Sequence, residues 1–433
     1  MTGVQTCALP ISEHWNVVRL KKVIKEKITD GPHETPDFID DGIPFLSVDG
    51  IQDGELIFEG CRYISPEAHC EYQKKCIVEK DDVLMGKAAS TGKIARVKVA
   101  FEFNIWSPLA LIKPNRNRIT PTFLEYSLKS DFGQIQIDLL CTSNTQKNIS
   151  MDDIPKLSIC QPPLEEQLTI ANYLDHQTQK IDCLIANKKA QAEKLKELRQ
   201  IEINNAVTKG LNPNAEMKDS GIEWLGKIPK HWEVKRVKGI CKIVNGSTPS
   251  SSIESYWEGD IIWVTPGDFK NFEHTIGDSE SKITDEGYKN CGTSIVPIGS
   301  IILTTRAPIG NVLVASKELC TNQGCKSLVP FRINSEFLYY YISVSSIQLN
   351  VLGQGTTFLE LSTGNLSTFK VPVPPKEEQI QIAKYLQLRT TAIDKLINNI
   401  DAQIEKLQEL RKIKIYEAVT GKIKVNAYVE ATA

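Results

Sequence analysis

Two short polar stretches hold the residue types that meet a polyanion. GKAASTGKIAR, residues 86–96, gathers Lys87, Lys93 and Arg96 around Ser90 and Thr91. Cations in such a cluster neutralise phosphate, and hydroxyls and backbone amides fix its position. TSNTQKN, residues 142–148, adds Ser143, Asn144, Thr145, Gln146, Lys147 and Asn148, donors and acceptors of the kind that read base edges. A comparable set follows further on: Arg306, Asn322, Gln323, Lys326, Thr356 and Thr357, with Thr357 standing 212 residues after Thr145. Loops of Gly, Ser, Thr and Asn also form plain turns whose side chains satisfy their own backbone, which is the duller reading of the same residues.

Bond-breaking chemistry finds less support. STGKIA contains Gly-Lys without the GxxxxGK[ST] frame that cradles phosphates, and neither GxGxxG nor a nucleophile elbow occurs. The Pro-Pro pairs read CQPPLE and PVPPKE, not the Asn/Asp-Pro-Pro-Tyr/Phe of an adenine methyltransferase. Asp268-x-Lys270 is half of a nuclease-like pattern with no second carboxylate to complete it. Eleven cysteines lie scattered without a CxxC pair, the usage of a reducing compartment. Cys61, His69, Cys70 and Cys76 are the nearest approach to a metal cluster, at a spacing that fits no familiar zinc site. No metal or cofactor is expected on this chain.

The formal net charge of −2 disfavours a polyanion partner until the chain is divided. Residues 30–82 hold 4 Lys/Arg against 14 Asp/Glu, whereas residues 83–160 hold 10 against 6, so a local cationic surface remains. A length of 433 residues suits two or three domains, and 41% apolar with 24% charged residues is ordinary for a globular protein. No apolar run approaches the roughly 18 residues of a membrane span, and residues 7–11 are too short for a secretory h-region. A cytoplasmic location is expected.

The elements that would position the polar loops are written twice. Residues 162–208, opening PPLEEQ, align without a gap to residues 374–420, opening PPKEEQ, with 28 of 47 positions identical. HWNVVRLK at residue 14 recurs as HWEVKRVK at residue 231, and Phe123-Leu124-x-Tyr126 as Phe337-Leu338-x-Tyr340. The chain is therefore a tandem duplication of a variable segment followed by a shared one. Each shared segment opens on Pro-Pro and Glu-Glu, which suit a helix N-terminus. Ile181, Leu184, Leu195 and Leu198 in one copy, and Ile393, Leu396, Ile400, Leu407 and Leu410 in the other, form apolar stripes that predict an antiparallel coiled coil. Some 40 helical residues make a rod of about 60 Å. IPFLSV, IIWVTP and SIILTT predict buried strands, and residues 121–128 and 336–346 predict helices, so each variable segment reads as a mixed α/β globule. Among the aromatics, Trp15, Trp224 and Trp232 are expected to pack domain edges, and of Tyr339, Tyr340 and Tyr341 at least one is expected in the core.

Taken in order, TDGPHETPDF, GIPFLSV and CRYISPEAH, then SGIEWLGKIPKHWEV, IIWVTPGD, RAPIGNV, TNQGCKSLVP and GQGTTF, with the PPxEEQ openings and ELR-rich helices, resemble the DNA specificity subunits of type I restriction-modification systems. The likeness extends over essentially all of the chain after residue 11. It implies a non-catalytic reader of double-stranded DNA, with two target recognition domains, at 12–160 and 230–373, each reading half of a bipartite asymmetric site. Spacer helices would occupy 161–210 and 374–425, with a linker at 211–229 and a tail at 426–433. It further implies two adenine methyltransferase subunits and two motor endonuclease subunits as partners, which would carry S-adenosylmethionine, ATP and magnesium. A coiled-coil scaffold that binds only protein is the rival reading, and a stand-alone nuclease or methyltransferase a more distant one. The second repeat starts SGIEWLGKIPKHW, whereas the first is preceded by VQTCALPI, which back-translates to a sequencing-library adapter. Residues 1–11 are accordingly expected to be an assembly artefact.

Overall fold

The computed structural model describes residues 14–142, 147–354 and 359–425. It divides into two compact units, Met1–Lys189 with Ala402–Ala433, and Ala190–Asp401. Each is a mixed α/β globule that includes stretches of two long helices, so the architecture is two α/β domains in tandem, each followed by a long helix.

The first unit is built on four antiparallel strands, β1 (Thr29–Asp30), β2 (Val83–Gly86), β3 (Ile94–Arg96) and β4 (Leu109–Ile112), in the order β1-β4-β2-β3. Every residue of β2 and β4 is buried. Such runs are continuously apolar because side chains alternate between two covered faces. Val83, Met85, Ala110 and Ile112 enter one core with Leu20 and Phe123, while Leu84, Leu109 and Leu111 enter another with Leu46, Val48 and Phe103. The second unit repeats the plan with β5 (Cys241–Asn245), β6 (Thr275–Ile276), β7 (Ile301–Thr304), β8 (Val312–Ala315) and β9 (Cys325–Pro330), in the order β5-β9-β7-β8-β6. Ile301 and Leu303 face one core and Ile302 the other. The predicted strands are present, at Ile43–Leu46, Trp257–Val264 and Ile301–Thr304. So are the predicted helices, α1 (Pro121–Lys129) and α3 (Ser335–Ser343).

Both globules are closed in the same way, and the repeated motifs do the closing. Asn16–Arg19, just after the first HW, runs antiparallel to Ser158–Gln161, and Glu233–Arg236 runs antiparallel to Lys370–Val373. Each pairing leads straight into a long helix, α2 (Leu164–Lys209) or α4 (Lys376–Val419). The second Glu of EEQ then holds the HW pair: Trp15 Nε1 donates to Glu166 at 3.1 Å with His14 at 2.8 Å, and Trp232 Nε1 donates to Glu378 at 3.1 Å with His231 at 2.7 Å. Next to it a buried Gln holds the N-cap of the domain helix. Gln167 accepts from the Thr120 amide at 2.8 Å and donates to the Arg118 carbonyl, and Gln379 accepts from the Asn334 amide at 2.7 Å. Buried polar groups must be paired, so these residues recur because the joint between helix and globule recurs.

Within the first unit, Ile170 and Leu174 of α2 share a core with Ile415, Ala418 and Val419 of α4. Within the second, Ile203, Ala206 and Val207 of α2 share one with Ile382 and Leu386 of α4. Ion pairs accompany them, Asp182–Arg411 at 2.9 Å in the first unit, and Arg199–Asp394 at 2.9 Å with Glu202–Arg389 at 3.0 Å in the second. In the second unit, residues later in α2 meet residues earlier in α4, so the helices run antiparallel there. The apolar seam differs from expectation. Ile181, Ile393 and Ile400 are buried, Leu195 and Leu407 are half-buried, and Leu184, Leu198, Leu396 and Leu410 are exposed. The buried line of α4 passes through Ile393, Ile397, Ile400 and Ile404, one residue out of phase with Leu396. Where Leu396 and Ile397 are adjacent, spacing alone cannot choose between them, and the helix turns the β-branched one inward.

Tyr339, Tyr340 and Tyr341 are all buried, with the Tyr341 hydroxyl donating to the Lys370 carbonyl at 2.9 Å, which removes them as stacking platforms. Trp15 and Trp232 are buried, and the more exposed Trp224 stacks on Phe369 with ring centroids 5.6 Å apart. Among the described residues no helix is long and apolar enough to cross a membrane.

Candidate nucleic-acid interface

The polar candidates collect where the central strands end, and the two units hold them in the same frame. After β2 the chain turns through residues 87–93, and the Ile149 amide donates to the Lys87 carbonyl at 2.9 Å, laying residues 147–149 beside that turn. The Thr91 hydroxyl donates to the Lys147 carbonyl at 2.6 Å, and the Thr142 amide to the Asn148 carbonyl at 3.1 Å. After β7, the Leu361 amide donates to the Thr305 carbonyl at 2.8 Å, and the Gln354 amide to the Glu360 carbonyl at 3.0 Å. Lys87 and Thr305 are thus equivalent, as are Asn148 and Glu360. Gly31 and Gly246, following β1 and β5, permit close approach: a Cβ would lie 1.7 Å from the Ile105 carbonyl oxygen in the first case and 1.9 Å from that of Asn322 in the second.

In the first domain the cations differ in what they are free to do. Arg96 lies between Asp81 at 2.8 Å and Glu125 at 3.1 Å, so it is committed to the fold. Lys87 meets Asp30 at 3.0 Å, and the same carboxylate holds Lys75 at 2.6 Å and His33 at 3.1 Å. Burial would raise the Asp30 carboxyl, but hydrogen bonds from Lys75 and Lys87 outweigh it and hold it below its usual value. Lys93 lines an open cleft of about 330 Å³ with Gln52 and Asp53. Ser90 is half-buried at the same turn, Lys147 is exposed and paired with Asp138 at 2.7 Å, and Asn148 is exposed. Ser143, Asn144, Thr145 and Gln146 lie outside the described residues.

In the second domain four segments converge. The Thr305 amide donates to the Gly324 carbonyl at 2.8 Å, and the Ser247 amide to the Thr321 carbonyl at 2.9 Å, tying residues 305–306, 321–326 and 245–248 together. Arg306 pairs with Glu360 at 3.3 Å and is half exposed. Asn322 spends its side-chain oxygen on the Gly324 amide at 2.9 Å, an Asx turn. Gln323 is exposed and accepts from the Thr248 hydroxyl. Lys326 is buried at this junction. Thr356 and Thr357 lie outside the described residues. Reading the sequence missed Asp30, His33 and Lys75 on one side and Asn245, Thr248 and Glu360 on the other. Only the Asp-Gly of TDGPH and the Asn-Gly of VNGST offered a signal, as turns.

Other groups weighed for chemistry have structural tasks. Asp268 accepts from the Thr265 amide at 2.7 Å and hydroxyl at 2.8 Å, and from the Glu280 amide at 2.8 Å, so it caps a turn. His69 is buried against Asn104 at 2.5 Å, and burial pushes the Cys76 thiol up to about 11. Among the described residues no three His, Cys, Asp or Glu side chains gather as a metal site.

The chain is similar to known proteins along most of its length. Residues 12–194 and 229–406 match the model of the type I restriction modification DNA specificity domain. The MjaIX specificity subunit of Methanocaldococcus jannaschii, a type I restriction enzyme subunit, is 41% identical over 199 residues, 45% of this chain and 44% of that one, so the match spans about half of its length. The putative MjaX specificity subunit of the same organism is 29% identical over 426 residues, 96% of this chain and 95% of that one. A chain solved in work on complex assembly and conformational transition of the type I R-M system shares the fold, with a TM-score of 0.75 at 19% identity, covering 95% of this chain and 99% of that one. The two matched stretches take in most of both repeats, and the chain belongs to the type I restriction modification DNA specificity domain family.

Proposed function

We propose that this chain is the sequence-reading, non-catalytic subunit of a type I restriction-modification assembly. Each globule reads one half of a bipartite, asymmetric site on double-stranded DNA. The observation that carries the reading is the pair of polar strand-end clusters held on the same frame with different side chains, Lys87 and Asn148 in one, Thr305 and Glu360 in the other. Two unlike readers on like frames suit two unlike half-sites, and the long helices α2 and α4 would fix the gap between them, as spacing is fixed in other bipartite DNA binders. Two adenine methyltransferase subunits and two motor endonuclease subunits would complete the assembly and bring S-adenosylmethionine, ATP and magnesium. A methyltransferase must draw its adenine out of the stack, so the reader's task is to grip the flanking duplex while a partner does the chemistry. The test is competition binding at near-physiological salt, where non-specific affinity is weak. Mixed with its methyltransferase partner, the chain is expected to retain one duplex against an excess of scrambled competitor. Equal loss to every competitor would refute the reading.

A further inference from the structure

The two domains place a lysine at the same junction in opposite electrostatic settings. Asp30 of β1 sits opposite Ala110 of β4, and Asn245 of β5 sits opposite Lys326 of β9. In the first domain the cation comes from Lys87, after β2, and Asp30 neutralises it. In the second, Thr305 occupies the place of Lys87, the cation comes instead from Lys326, and the facing carboxylate has become an amide. That amide oxygen is already taken, accepting from the Thr363 hydroxyl at 2.7 Å.

Lys326 is only 7% exposed, and among the described residues its ammonium has neither a hydrogen bond nor an ion pair. The nearest charges, Arg306 and Glu360, are paired with each other. Burial, with Arg306 adding to it, pulls the amine below the ordinary lysine value against the influence of Glu360. A cation desolvated without a counter-charge destabilises the free protein, and a full negative charge from outside offsets that cost better than a neutral base edge does.

We propose that Lys326 anchors a backbone phosphate of the DNA half-site read by the second domain. The proposal rests on the reading given under Proposed function and adds the residue and the ligand group. At the corresponding junction of the first domain Lys87 already has Asp30 as an ion-pair partner, so the same demand does not arise there.

The probe is the duplex that the wild-type chain, assembled with its methyltransferase partner, selects from a random library. Affinities of wild type, K326M and K326Q are measured across a salt series. One phosphate contact carries a slope of about 0.9 in log K against log salt, so either variant is expected to bind about eightfold more weakly at 0.1 M salt, with a slope shallower by about 0.9 and the sequence preference unchanged. The melting temperature of K326M is expected to equal or exceed that of wild type, since an uncompensated charge has gone. Unchanged affinity and slope would overturn the proposal. Relaxed sequence preference at unchanged slope would overturn it in favour of a base contact, and a lowered melting temperature in favour of a structural lysine. Should the wild-type assembly select no sequence at all, it is the underlying reading that fails.

Discussion

Replacing Asp30 with Asn would give the first domain the amide that the second already has, without removing the cation that the carboxylate serves. The Asp30 side chain is 8% exposed and meets Lys75 at 2.6 Å, Lys87 at 3.0 Å and His33 at 3.1 Å. Lys75 and His33 are at least half exposed, and pairs of that kind contribute roughly 0–1 kcal/mol. Lys87 is 13% exposed, and stripping the partner from a buried ion costs about 3–5 kcal/mol. Asn keeps the shape and one acceptor, so we place the loss at about 2–3 kcal/mol. The double variant D30N/K87T puts Asn and Thr where the second domain has Asn245 and Thr305, and is expected to recover at least half of that loss. The assay is urea unfolding of wild type, both single variants and the double variant. The pH dependence supplies a second readout. Because the folded Asp30 carboxyl lies below its unfolded value of about 3.9, its contribution is complete above that pH and lost as pH falls through the folded value. The gap between wild type and D30N should therefore close in acid. A D30N stability within about 0.5 kcal/mol of wild type near neutrality, or no coupling between the two substitutions, would refute the reasoning.

Two further predictions concern the joints of the fold and its response to pH. Glu166→Ala or Glu378→Ala removes the carboxylate shared by a His and a buried Trp, and each should lower stability by about 1–3 kcal/mol in denaturant titration; a loss under about 0.3 kcal/mol for both would show that the joint is held by packing alone. Burial pushes the Asp82 carboxyl up to about 6, against the pull of the Glu79 amide and Lys113. Its folded value lies above the unfolded one, so wild type should gain stability relative to D82N as pH falls from about 7 to about 4, and parallel melting curves for the two across that range would contradict the assignment.

The duplication was the most legible property of this chain, because an offset of 212 needs no knowledge of packing. Strands such as Ile301–Thr304 were legible because a continuous apolar run bounded by Gly and Pro has few alternatives. The PPxEEQ and HW motifs were visible as repeats, but their purpose was not, since Trp15 and Glu166 are 151 residues apart in sequence. The same limit hid the commitment of Arg96, whose partners Asp81 and Glu125 come from separate elements. A basic residue in a Gly-Ser loop reads alike whether it faces solvent or a carboxylate. The helical seam was misphased for a different reason: leucine and isoleucine are equally apolar, and a one-residue choice between Leu396 and Ile397 decides which face is covered.

Two unlike readers on one chain should recognise two unlike half-sites, and mapping methylated adenines across the genome of the source organism would reveal both at once. The expected result is one asymmetric motif, two defined blocks separated by a constant undefined gap, with an adenine methylated in each block and the whole pattern lost when this gene is deleted. A methylation pattern unaffected by the deletion, or one confined to a single contiguous block, would contradict it.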